Sequence, residues 1–163
     1  MAPSRLERGA LLPAAPLASI LDGRAIELRG GRGPIVVFLP HSPDCAGCAA
    51  YVRDLAARAD ALGSWGARVM IVVRARVGRA SELRESAAGR LLLLEDRSGA
   101  LGARLDPGAA ALLIADEWGE VYHAAGAGLA HELPAPGEIE EWVRFIAIQC
   151  PECEGPEGEW RNL

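Results

Sequence analysis

The feature that most constrains this chain is a change of hydrophobic period that falls on a pair of cysteines. Ile35-Val36-Val37-Phe38-Leu39 is apolar at every position, the pattern of a strand buried on both faces. Further on, Val52, Leu55, Ala56, Ala59 and Leu62 recur at helical spacing, and Gly63 marks the end of that helix. Cys45-Ala46-Gly47-Cys48 sits at the junction between them. A buried strand running into a helix is one half of a layered α/β unit. The unpaired N–H groups and dipole at the start of such a helix favour a thiolate over a thiol. Cys45 is therefore a candidate nucleophile. Cys48, one turn deeper and in phase with Val52 and Leu55, should be sheltered while Cys45 is exposed.

The remaining segments extend the same alternation. Ala25 to Leu28 reads as a short strand, Ala67 to Val73 as a second buried one, and Ala80 to Ala88 as a polar-faced helix. Leu91 to Leu94 and Ala110 to Ala115 are further strands, with a short helix expected between Ser98 and Leu105. Asp116-Glu117-Trp118-Gly119 is a turn that joins Ala110–Ala115 to a strand over Glu120 to Ala124, the clearest hairpin in the chain. Pro136 to Gln149 is a helix with Ile139, Trp142, Val143 and Ile146 on one face. Strands alternating with helices, then a hairpin and a last helix, specify an α/β fold of three layers, a central mixed sheet flanked by helices. Residues 1–148 form that domain. Residues 149–163 form an acidic C-terminal tail, since Glu154-Gly155-Pro156-Glu157-Gly158-Glu159 is charged and rich in helix breakers.

Charge narrows the partners. There are 17 basic and 22 acidic residues, for a formal charge of −5, and every basic residue is arginine. An acidic balance argues against nucleic acid. No stretch reaches the roughly 18 apolar residues of a membrane span. The start of the chain, Arg5 and Arg8 followed by Gly9 to Leu17, imitates a secretory signal only loosely, because Pro13 and Pro16 break it and Glu7 interrupts it. A cytoplasmic protein is the expectation. In that compartment paired thiols tend to be catalytic or metal-bound.

All four cysteines fall in two Cys-x-x-Cys pairs, Cys45/Cys48 and Cys150/Cys153. Such vicinal dithiols exchange electrons or hold a tetrahedral metal. Asp44, next to Cys45, is expected to cap the helix. His41, four residues before Cys45, is either a base or hydrogen-bond donor to it or a solvated loop residue, and the second reading is the default. His123 and His131 are read as structural or exposed. Trp65, Trp118 and Trp142 are read as packing residues.

In its order of motifs the chain resembles the thioredoxin-like superfamily. Those motifs are Asp22-Gly23-Arg24-Ala25-Ile26-Glu27-Leu28, Gly33-Pro34-Ile35-Val36-Val37-Phe38, Cys45-x-x-Cys48 and Asp116-Glu117-Trp118-Gly119-Glu120-Val121. More narrowly it is similar to the redoxin branch, with alkyl hydroperoxide reductase, thiol-specific antioxidant and peroxiredoxin-like proteins. The likeness spans about residues 9 to 148, with the dithiol at a strand-to-helix junction as its most specific element. It implies a thioredoxin fold and thiol-disulfide or peroxide chemistry. The redox partners it implies are protein thiols, disulfides or a reductase.

The chain also departs from that pattern. The family's oxidoreductases carry a proline at positions that fall on Ala110 and Ala111, and a tryptophan where Asp44 stands. No acid in Ile35 to Leu39 can act as a buried base. Ser42 matches the hydroxyl residue three before a peroxiredoxin's reactive cysteine, but Phe38 replaces its proline, Pro40 is offset, and its arginine would fall near Ala110. Without that cation a peroxide oxygen lacks its positive partner. Disulfide exchange therefore ranks ahead of peroxidase activity.

Two readings of the cysteines follow. In the first, Cys45 attacks, Cys48 resolves, and Cys150/Cys153 relays electrons, so that all four are catalytic and no cofactor is needed. In the alternative, Cys45, Cys48, Cys150 and Cys153 are zinc ligands and the protein is a metal-stabilised scaffold. Glu152 and Glu154 beside the second pair disfavour its thiolates unless a metal or the core compensates. A third reading leaves Cys150 and Cys153 as incidental tail cysteines.

Overall fold

A computed structural model describes residues 5–74, 81–128 and 132–149 of the chain. Cys150, Cys153 and His131 lie outside the described residues, as does the proposed tail beyond Gln149. The described chain forms β1 (Leu17–Ser19), β2 (Ala25–Ile26), β3 (Ile35–Leu39), α1 (Ala46–Ala57), α2 (Ala59–Ser64), β4 (Arg68–Arg74), α3 (Ser81–Ala87) and β5 (Leu92–Asp96). A single 3-10 turn, Gly102–Arg104, precedes β6 (Ala110–Ala115), β7 (Val121–Ala127) and α4 (Pro136–Ala147).

The strands join in one seven-stranded mixed sheet, ordered β2-β1-β5-β4-β3-β6-β7. β3, β4 and β5 run parallel, while β6 lies antiparallel to β3, with Phe38 opposite Leu112 and Leu39 opposite Ala111. The parallel strands are the continuous apolar runs of the sequence, and all five residues of β3 are buried. Parallel strands need crossovers, and α1 and α3 supply them. The expected layered α/β fold with a mixed sheet is the one observed.

The alternation of side chains along each strand separates two cores. Val36, Phe38, Val69, Ile71, Leu112 and Ile114 face the α-helices, meeting Val52 and Leu55 of α1, Leu83 of α3 and Val143 of α4. Ile35, Val37, Leu39, Met70, Val72 and Leu113 face the other way. That second face is covered by Leu6, Leu12 and Leu28 of the N-terminal chain and by Leu101 and Leu105 around the 3-10 turn. The two coverings differ in kind, helix on one side and mostly irregular chain on the other.

Two glycines fix the sheet's approach to its turns. Gly33 enters β3 at φ +76°, where an added Cβ would lie 2.4 Å from the Gly66 carbonyl oxygen. Only glycine permits that backbone contact. Gly119 closes the β6–β7 turn at φ +89°, with the Asp116 carboxylate accepting from the N–H groups of Trp118 and Glu120. Past this turn the register slips, so that Ala115 faces Val121 but Ile114 faces His123. Tyr122 is the extra residue of a β-bulge. Both neighbouring rings then reach α4: Tyr122 to Phe145 at 6.4 Å and His123 to Trp142 at 5.1 Å between centroids.

Several sequence expectations need correction. The helix expected to run from the dithiol through Leu62 is broken at Arg58, giving α1 and α2. β1 was not foreseen. Trp118 is not a packing residue, being 67% exposed at the tip of the hairpin turn. Trp65 and Trp142 are half-buried, the first beneath the Arg144 guanidinium at 5.7 Å. Among the described residues, no helix is long and apolar enough to cross a membrane.

Candidate functional site

β3 delivers the chain to the dithiol at the C-terminal edge of the parallel strands, where ligand and active sites of open α/β sheets collect. The loop Pro40 to Asp44 turns there. Ser42 holds the turn, its hydroxyl accepting from the Asp44 N–H and its carbonyl from the Cys45 N–H. The expected helix cap is displaced by one residue. Asp44 is exposed, and Cys45 is the N-cap, with φ −79° and ψ 115° and with Sγ accepting from the Cys48 N–H at 3.4 Å. Negative charge developing on Cys45 Sγ therefore meets the positive end of α1.

The two sulfurs have different surroundings, as their helical phase predicts. Cys45 is half-buried and Cys48 is fully buried, inside the core cluster that holds Phe38, Val52 and Leu55. Burial pushes the Cys48 thiol up to about 11, with contributions in the same direction from Cys45 and opposing ones from the backbone of His41 and Ser42. Cys48 is thus a protonated thiol at neutral pH.

His41 is half-buried, with Nδ1 3.4 Å from Cys48 Sγ. The default reading of a solvated loop histidine is overturned. A ring nitrogen of His41 and the two sulfurs all lie within 4.8 Å of one another. Among the described residues they are the group of histidine, cysteine and acidic side chains close enough to share a metal ion.

Tyr51 is a positioning residue that the sequence reading passed over. Its ring packs on Phe38 with centroids 4.9 Å apart, and its hydroxyl donates to the Pro134 carbonyl at 2.7 Å. Burial raises the Tyr51 phenol well above its ordinary range. The side chain ties the dithiol helix to the end of β3 and to the segment before α4. Its signal was its place three residues after Cys48, on the same face.

The remaining candidates are structural or separate. His123 stacks on Trp142 and its buried Nε2 has no hydrogen-bond partner. Ala110 and Ala111 open β6 as buried residues beside Leu39, so small apolar side chains stand at the strand end next to the dithiol loop.

No protein-family model matches the chain, and no curated protein matches it. Solved structures do. The peroxidoxin BcpB of Mycobacterium tuberculosis superposes with a TM-score of 0.69 at 16% identity, over 90% of this chain and 100% of that one. A peroxiredoxin-like protein from Aquifex aeolicus gives 0.66 at 16% identity, over 89% and 90%. The bacterioferritin comigratory protein of Xanthomonas campestris, studied for its alkyl peroxide reduction activity, gives 0.65 at 16% identity, over 86% and 99%. The fold is thioredoxin-like, in the form that peroxiredoxins share. Over the described residues the layered α/β architecture inferred from motif order is present, with the dithiol at the strand-to-helix junction.

Proposed function

We propose that the chain is a thiol-based oxidoreductase in which Cys45 attacks and Cys48 resolves. The observation that carries this is the asymmetry of the pair: a half-buried sulfur capping α1, three residues before a buried thiol held against a histidine nitrogen. With a disulfide substrate, the Cys45 thiolate attacks one sulfur and releases the other as a thiolate, leaving a mixed disulfide. Cys48 then attacks Cys45 Sγ, the substrate's remaining thiolate departs, and a Cys45–Cys48 disulfide is left. Because Cys48 starts protonated, this second step needs a proton acceptor. His41 Nδ1 is within reach to take it.

A peroxide is the second substrate class, and it stands higher than the sequence motifs alone rank it, because the solved structures described above are peroxiredoxins or peroxiredoxin-like proteins. There Cys45 takes an oxygen from ROOH, releasing ROH and becoming a sulfenic acid, and Cys48 condenses with it to form the same disulfide and water. Either way the dithiol loses two electrons to the substrate. A thiol donor or reductase returns them, and Cys150/Cys153 is the proposed relay.

The test is direct. The reduced full chain is exposed, in chelator-containing buffer, to one equivalent of hydrogen peroxide or of a small disulfide, and its cysteines are mapped by mass spectrometry. A Cys45–Cys48 disulfide formed within one turnover supports the reading, and the faster oxidant names the substrate class. Failure of both oxidants to link these cysteines would sink it.

A further inference from the structure

We propose that His41 Nδ1, Cys45 Sγ and Cys48 Sγ together bind one zinc ion in the reduced protein. The site differs from a four-cysteine zinc site, because it is complete within one loop and one helical turn and draws nothing from Cys150 or Cys153.

The geometry is the argument. A tetrahedral zinc with bonds of about 2.3 Å to sulfur and about 2.0 Å to imidazole nitrogen spaces a sulfur and a nitrogen ligand roughly 3.5 Å apart, and two sulfurs roughly 3.8 Å apart. His41 Nδ1 and Cys48 Sγ are 3.4 Å apart, and all three donor atoms lie within 4.8 Å of one another. Little movement is needed to place an ion at their centre. The donor set is also chemically apt, since two thiolates and an imidazole suit a thiophilic ion and disfavour magnesium or calcium.

The surroundings hold the ligands in place. Cys48 is fixed in the core between Val52 and Phe38, and Cys45 is fixed as the N-cap of α1. His41 follows Pro40 at the end of a strand that is buried throughout. Cys45 is half-buried, so an ion there keeps one side toward solvent and a fourth position for water or an exogenous ligand. Uptake of one Zn2+ displaces the two thiol protons and forms two Zn–S bonds and one Zn–N bond, with no change of oxidation state. A Cys45–Cys48 disulfide consumes both thiolates, so the oxidised protein has no such site.

The experiment uses the full chain, reduced and stripped with chelator, and titrated with Zn2+ against a chromophoric competitor. X-ray absorption on the loaded protein gives the ligand set. The expected result is one equivalent bound through two sulfurs and one imidazole, absent from the oxidised protein. His41→Ala is expected to weaken binding by about a hundredfold. The Cys150→Ser/Cys153→Ser double variant should bind as wild type does. If His41→Ala fails to fold by circular dichroism, His41→Gln replaces it.

No uptake by the reduced protein overturns the proposal. So does a shell of four sulfurs, unchanged affinity in the His41 variant, or loss of the ion from the double variant. The redox reading is tested in chelator, where no zinc is bound, so either idea can fail without the other.

Discussion

Cys45 and Cys48 are the same residue type one helical turn apart, yet the fold gives them opposite environments. Cys45 sits outside the first turn of α1, half-buried, with its sulfur receiving a backbone N–H. Cys48 lies inside, without solvent exposure, its thiol pushed up to about 11 by burial. The difference teaches that a Cys-x-x-Cys pair is polarised by the depth of a helix in its sheet. Nothing in the two side chains themselves distinguishes them. In the proposed order of attack, this inequality keeps the second sulfur protonated while the first reacts.

The comparison breaks most sharply under substitution. Cys45→Ser is expected to lower turnover by about a thousandfold or more, because the sulfur proposed to attack is gone. Cys48→Ser should leave the first attack intact and accumulate a mixed disulfide or sulfenic acid on Cys45, visible by mass spectrometry. Equal losses of the first step in both variants would erase the assigned order.

His41 sharpens the comparison from the side of the buried thiol. His41→Ala should slow closure of the Cys45–Cys48 disulfide by about a hundredfold while leaving the initial attack within a few fold, as read by rapid-quench trapping. A slowed first step with normal closure would reassign His41 to Cys45.

The smallest effect concerns stability. The folded Cys48 thiol titrates at about 11 against an ordinary value of 9.0. The unfolded chain therefore ionises first as pH rises, and the stability that Cys48 contributes below pH 9 is lost progressively up to pH 11. That loss amounts to about 2–3 kcal/mol at 1.36 kcal/mol per unit. Urea unfolding of the reduced protein across this range should show the fall. Cys48→Ala should remove that part of the slope, and Cys45→Ala should keep most of it, because burial is the largest cause and Cys45 a lesser one.

Much of the scaffold was legible because burial leaves a direct mark on composition. β3, β4 and β6 are runs of apolar residues, and the β6–β7 hairpin is announced by Asp116 and Gly119. The difference in depth between Cys45 and Cys48 followed from helical phase alone. Less legible were the features fixed by tertiary pairing. β1 contains three residues, too few to show a period, and exists because β5 offers it an open edge; β2 is the strand expected from Ala25, cut to two residues. The break at Arg58 has no proline or glycine behind it. The place of His41 depended on the path of a loop between Pro40 and Pro43, which carries no periodic signal, and so did the choice of Cys45 over Asp44 as cap.

The irregular chain that covers the second face of the sheet has a further consequence, for the order of assembly. Residues 6–12 are held by groups far along the chain: the Leu6 N–H donates to the Arg104 carbonyl at 3.1 Å and the Leu12 N–H to the Gly119 carbonyl at 2.8 Å. The Arg104 guanidinium and the Val121 N–H donate in turn to the carbonyls of Leu11 and Ala10. During synthesis this segment leaves the ribosome before these distant hydrogen-bond partners exist. The groups that pair with its backbone arrive roughly a hundred residues later. Closing so large a loop is slow. Residues 6–12 are thus made well before the groups that secure their backbone.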